Sequence, residues 1–120
     1  MDEVPVLAAV AAHAPGDSWF LGAGELRLKE SDRLRAIAAG IRGLGGHAAD
    51  EGMDLVIAGG SLDGGRAEAG GDHRMALSLA VAALAARAPC EIEGFESAEV
   101  SFPGAARVIG DLGGRVEVLP

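Results

Sequence analysis

A chain of 120 residues is one domain's worth of protein, long enough to bury a real core. With 49% hydrophobic residues but only 3% aromatics, that core must be built from Ala, Val, Leu and Ile, and 19 glycines require many turns. A net charge of −8 argues against nucleic acid as a partner, which makes the few cations informative.

Asp2 to Ala14 reads as a helix. Acids occupy its first turn, Pro5 is early enough to be tolerated, and Val6, Leu7, Val10 and Ala11 share one face. Pro15-Gly16-Asp17 stops it. A short strand is expected at Ser18–Leu21, followed by turns at Gly22 and Gly24. Then comes Leu26-Arg27-Leu28-Lys29-Glu30-Ser31-Asp32-Arg33, where apolar and charged residues alternate into a cluster of ionisable ones. From Leu34, the apolar residues Ile37, Ala38, Ile41 and Leu44 recur at helical spacing, and Gly45-Gly46 marks the end. Ser31 is expected to cap this helix, with Asp32 in its first turn. Lys29, the chain's only lysine, and Arg33 oppose the positive end of the helix dipole unless they share an anion.

Strands are expected at His47–Asp50 and Leu55–Ala58, joined in hairpin fashion by Glu51-Gly52-Met53. Residues 59–71 are polar and glycine-rich and read as a mobile loop; they lack the Gly-Lys-Ser/Thr ending of a nucleotide-binding loop. Asp72 caps the next helix, His73–Arg87, which is apolar nearly all round and too short to span a bilayer. Here His73 and Arg74 again oppose the dipole. Two such conflicts in a small chain suggest one shared anion site.

A strand at Glu91–Gly94, a helix at Pro103–Leu112 and a strand at Val116–Leu119 complete the chain. The lone Cys90 excludes an internal disulfide and fits a reducing compartment. His13 and His47 are isolated, and no spacing of His, Cys or Asp supports a metal site. No apolar leader is evident, so a soluble, cytoplasmic chain is expected. Ala11–Pro15 is echoed at Ala85–Pro89, each followed by a strand, a loop, a serine, a helix and a Gly-Gly pair. That pattern suggests a pseudo-repeat with helices packed between outer sheets.

Leu26–Arg33 and Asp72-His73-Arg74-Met75-Ala76 resemble the two signatures in the C-terminal part of the 5-enolpyruvylshikimate-3-phosphate synthase family. Asp2-Glu3-Val4-Pro5-Val6-Leu7 resembles its catalytic-aspartate segment, in the wording of the glyphosate-tolerant subgroup. The likeness extends over all 120 residues but matches only roughly the last quarter to third of the family enzyme. It implies an α/β fold: about two of the three βαβαββ units of an inside-out α/β barrel, with an exposed strand edge and a tendency to self-associate.

The resemblance also implies a reaction, transfer of the enolpyruvyl group of phosphoenolpyruvate to shikimate 3-phosphate with release of phosphate, and no cofactor. Carried over, Asp2 accepts the proton of the attacking hydroxyl. Glu30 protonates the methylene carbon and later removes a proton. Lys29 touches the shikimate hydroxyl region and Glu30, while Arg33, His73 and Arg74 hold the phosphate and carboxylate of phosphoenolpyruvate. Carboxylates in separate environments can hold opposite protonation states, and arginine forks match both anions. Two departures stand out: Val100 replaces a lysine of many members, and Glu25 replaces an asparagine. Taken alone, the chain is expected to bind weakly and turn over little. The alternatives are a relative acting on UDP-N-acetylglucosamine, which the wording of both motifs disfavours, and a non-catalytic anion- or partner-binding module of the same fold. On composition alone, Lys29, Glu30, Arg33, His73 and Arg74 would be ordinary solvated helix-start charges.

Overall fold

A computed structural model describes residues 3–28, 32–96 and 103–104. Helix α1 covers Val4–Ala11, strand β1 Asp17–Phe20, a 3-10 helix Gly24–Leu28, and helix α2 Arg33–Gly43. Strands β2 (His47–Glu51), β3 (Asp54–Ala58) and β4 (Gly65–Glu68) follow, then helix α3 (His73–Leu84) and strand β5 (Cys90–Glu93). The expected helix at Pro103–Leu112 lies almost wholly outside the described residues, and the strand at Val116–Leu119 entirely so.

The core is aliphatic, as composition requires. Leu34, Ile37, Ala38, Ile41 and Leu44, the predicted stripe of α2, are fully buried, together with Leu26, Leu55, Ile57, Leu62, Met75 and Leu79. Removing that much apolar surface from water is the main driving force, at about 25 cal/mol per Å². Strands β1, β3 and β2 form an antiparallel sheet in that order. Its alternating pattern puts Leu55 and Ile57 inward and leaves Trp19 on the outer face, 62% exposed. The β2–β3 connection is the expected hairpin. Glu51 pairs with Asp54, and Gly52, with φ +56°, supplies the left-handed first turn position that a side chain would disfavour.

Helix α1 buries a face other than the one read from the sequence. Ala8, Ala9 and Ala12 are fully or almost fully buried, while Val6, Leu7 and Val10 are each more than a third exposed. The small alanine face allows α1 to lie close against α3, and the bulkier branched side chains turn outward. The helix also ends at Ala11, where the amides of His13 and Ala14 already bond in tighter turns to Val10 and Ala11. His13 then bonds through Nε2 to the carbonyl of Ala82 at 2.8 Å, tying this end of α1 to α3. Helix α3 stops at Leu84 rather than Arg87, because Ala86 N tightens onto Ala83 O and Arg87 N is taken by the carbonyl of Leu62.

The stretch 59–71 is not all loop. Gly65–Glu68 forms β4, which pairs in parallel with β5 from Gly65–Cys90 to Glu68–Glu93. Its residues carry little apolar signal, with only Ala67 buried, so pairing at long range rather than local pattern makes it a strand. Among the described residues, β4 and β5 pair only with each other. Helix α2 packs against both sheets. Its Gly43 sits so close to β4 that an added Cβ would strike the carbonyl oxygen of Arg66. Gly43→Ala should therefore destabilise the chain by about 1–3 kcal/mol in a denaturant titration. The same change in an unobstructed helix would stabilise, so the sign alone tests this packing.

Candidate functional site

Each of the two charged motifs opens a helix, and the structure brings the two helix starts together. Asp32, not Ser31, is the N-cap of α2; its Oδ1 accepts the amide of Arg35 at 3.0 Å. The cap falls one residue later than expected because this carboxylate reaches the third amide beyond it, a geometry favoured at helix starts. Asp72 caps α3 as expected, with Oδ1 accepting the amides of Arg74 at 3.0 Å and Met75 at 3.4 Å. Gly70 and Gly71, with φ of +64° and +76°, turn the chain so that Asp72 arrives at that position.

Arg33 opens α2 and is only 2% exposed, as is Asp72. Arg33 Nε donates to Asp72 Oδ2 at 2.8 Å and Nη2 donates to Oδ1 at 3.2 Å. One carboxylate thus caps α3 and takes the guanidinium fork of α2. The conflict between Arg33 and its own helix dipole is relieved by an anion from within the chain. On sequence Asp72 was only a cap; the clue to this second role was that both helices open on cations.

His73, half buried, and Arg74, exposed, occupy the first turn of α3 next to this pair. Arg74 also lines a cleft of about 370 Å³ between α1 and α3, together with Glu3, Val6, Leu77, Ser78 and Val81. Glu3 belongs to the N-terminal segment quoted above, so that segment and the start of α3 share a cleft. Asp2, Lys29 and Glu30 lie outside the described residues. Val100 lies outside as well; Glu25 is in the 3-10 helix.

Arg27 lies in the first charged motif, within the 3-10 helix. Its Nε donates to the carbonyl of Gly52 at 2.8 Å, Nη1 to Asp32 Oδ2 at 2.9 Å and Nη2 to Asp50 Oδ2 at 2.8 Å. Bonds to Asp50, then to Asp32, raise the affinity of this guanidinium for its proton. Burial pushes the Asp32 carboxyl up, but the Arg35 amide and the Arg27 guanidinium outweigh it and hold the carboxyl below its usual 3.8. A group depressed on folding contributes stability above its unfolded pKa and loses it as pH falls through the folded one. Acid unfolding below about pH 3.8 should therefore be shallower in Asp32→Asn than in the parent, as followed by circular dichroism.

Among the described residues no group of three or more His, Cys, Asp or Glu could hold a metal ion, and no helix is long and apolar enough to cross a membrane. Cys90 is partly exposed, and burial is the larger influence raising its thiol pKa.

The family model for EPSP synthase (3-phosphoshikimate 1-carboxyvinyltransferase) matches residues 1–109. The chain belongs to the EPSP synthase family. A 3-phosphoshikimate 1-carboxyvinyltransferase from Aeropyrum pernix is 46% identical over 118 residues, covering 98% of this chain and 28% of that protein. One from Methylococcus capsulatus is 43% identical, with 98% of this chain and 27% of the relative covered. Among solved structures, EPSP synthase from Acinetobacter baumannii superposes with a TM-score of 0.90 at 34% identity, covering 98% of this chain and 28% of that one. An enolpyruvyl transferase from Streptomyces tendae shares the fold, with a TM-score of 0.68 at 20% identity over 97% of this chain and 26% of its own. The chain therefore spans little more than a quarter of the length of these EPSP synthases. Its mixed helices and sheets form a partial domain of their α/β fold.

Proposed function

We propose that this chain carries part of the active site of a transferase that moves the enolpyruvyl group of phosphoenolpyruvate to a hydroxyl of shikimate 3-phosphate, with release of phosphate, in aromatic biosynthesis. Family membership supports the reaction class. The buried Arg33–Asp72 pair is the observation that carries the reading: it joins the two motif-bearing helix starts, so cations from both lie at one place. Cations gathered at two helix N-termini suit a ligand bearing both phosphate and carboxylate.

In this reading Asp2 accepts the proton of the attacking hydroxyl as its oxygen bonds to the substituted carbon of phosphoenolpyruvate. Glu30 delivers a proton to the methylene carbon, giving a tetrahedral intermediate. Loss of phosphate and removal of a methyl proton by Glu30 restore the double bond. Lys29 lies against the hydroxyl and Glu30, and Arg33, His73 and Arg74 hold the ligand's charges. The remaining contacts come from chain beyond these 120 residues, so the isolated chain binds both substrates weakly. The protein acts in the cytoplasm.

Phosphate release tests this. The chain is assayed alone and then mixed with the part of the Aeropyrum pernix relative that it does not match. Turnover in the mixture only, dependent on both substrates, supports the transferase reading. A folded chain that gives no turnover in either assay would overturn it.

A further inference from the structure

One carboxylate oxygen is shared between the two charged motifs. Asp72 Oδ1 accepts the amides of Arg74 and Met75 in the first turn of α3, and it also accepts Nη2 of Arg33 from α2. We propose that Asp72 is a positioning residue: it sets the spacing between the Arg33 guanidinium and the His73-Arg74 turn, and through that spacing the affinity for phosphoenolpyruvate. This rests on the transferase reading, in which Arg33, His73 and Arg74 hold the charges of that ligand.

The path between the cations is short and stiff. Arg33 Nη2 and the Arg74 amide are each one hydrogen bond from Oδ1, at 3.2 and 3.0 Å. The second oxygen, Oδ2, takes Arg33 Nε at 2.8 Å, so the fork fixes the plane of the guanidinium as well as its distance. Because the same carboxylate caps α3, it cannot turn to follow Arg33 without releasing the first-turn amides. The side chains are 3% and 1% exposed, so water is not at hand to replace a lost bond. A ligand whose phosphate and carboxylate stand at a fixed separation is matched by cations at a fixed separation.

The packing of α2 on α3 does not itself require this pair. The two helices share one apolar core through Ile37 and Ile41 on one side and Met75 and Leu79 on the other, all fully buried. Leu79 lies so close to Gly40 of α2 that an added Cβ would strike it. A buried ion pair adds little net stability over an apolar pair of similar volume, because desolvation offsets the attraction. What Asp72 adds is one defined arrangement of the two helix starts.

Steady-state kinetics of the mixture that releases phosphate test this. Asp72→Asn should raise KM for phosphoenolpyruvate about 10- to 100-fold, the worth of a charge-assisted hydrogen bond. KM for shikimate 3-phosphate should change less than about threefold. The variant is less stable, so circular dichroism first establishes that it is folded, with trimethylamine N-oxide added to favour the folded state. Asp72→Glu is the second variant. It keeps a charge beside Arg33, but its extra methylene moves the carboxylate away from the Arg74 amide, and KM for phosphoenolpyruvate should rise at least about fivefold. Loss of folded protein alone would lower the apparent kcat and leave both KM values unmoved. A KM for phosphoenolpyruvate within about threefold of the parent's in either folded variant, or an equal rise for both substrates, would overturn the positioning role. A silent unsubstituted mixture would instead overturn the transferase reading, and the proposal with it, before any variant is compared.

Discussion

Asp72→Asn should destabilise the chain by about 3–5 kcal/mol, the cost typical of removing one charge from a buried ion pair. Asparagine caps helices about as well as aspartate, so the amides of Arg74 and Met75 keep an acceptor and the loss reports the charge rather than the cap. What fails is the contact with Arg33. An amide has one oxygen where the carboxylate had two, and its NH2 would face a guanidinium N–H in a place almost closed to water. Domains of this size have about 5–15 kcal/mol of stability in total, so the denaturant midpoint should move substantially. Arg33→Met alone should be similarly harmful, because it removes the guanidinium charge facing a buried carboxylate. The double variant should cost less than the sum of the two, since it removes charge and counter-charge together. A cost below about 1 kcal/mol for Asp72→Asn would show that the pair does not hold the two helix starts together.

Glu30→Gln should cost about 100- to 10,000-fold in kcat in the mixture with the complementary part of the relative, while the chain's melting temperature stays close to the parent's. Glutamine keeps the length and the hydrogen-bonding oxygen of glutamate but has no proton to give at neutral pH and cannot accept one back. The proposed reaction asks both of that position: a proton to the methylene carbon and removal of one from the methyl group that results. KM for phosphoenolpyruvate should change little, because Arg33, His73 and Arg74 are proposed to hold its charges. A loss of kcat with binding intact is the signature of a group acting in the transition state rather than in binding. A variant that turns over as fast as the parent would sink the assignment of Glu30.

Much of the fold was legible in the chain itself. The stripe Leu34, Ile37, Ala38, Ile41, Leu44 is fully buried, and the hairpin at Gly52, the Asp72 cap and the strand starting at Cys90 lie close to where spacing and turn chemistry put them. These features are local: periodicity, caps and turns express short-range sterics and hydrogen bonding. The family, too, was readable from two motifs whose residues are contiguous in the chain.

Tertiary structure decided whatever depends on partners distant in sequence. Gly65–Glu68 is a strand because β5 lies beside it, and Val6, Leu7 and Val10 face outward because alanines give the closer fit to α3. Above all, nothing in the chain's order says that Arg33 meets Asp72, 39 residues away, or that Arg27 meets Asp50 and Gly52. Charge type and helix-start position could be read from sequence, and they indicated that an anion must answer the cations. Which anion answers Arg33 is settled by the packing of α2 against α3, because burial makes that ion pair strong and only the folded chain defines what is buried.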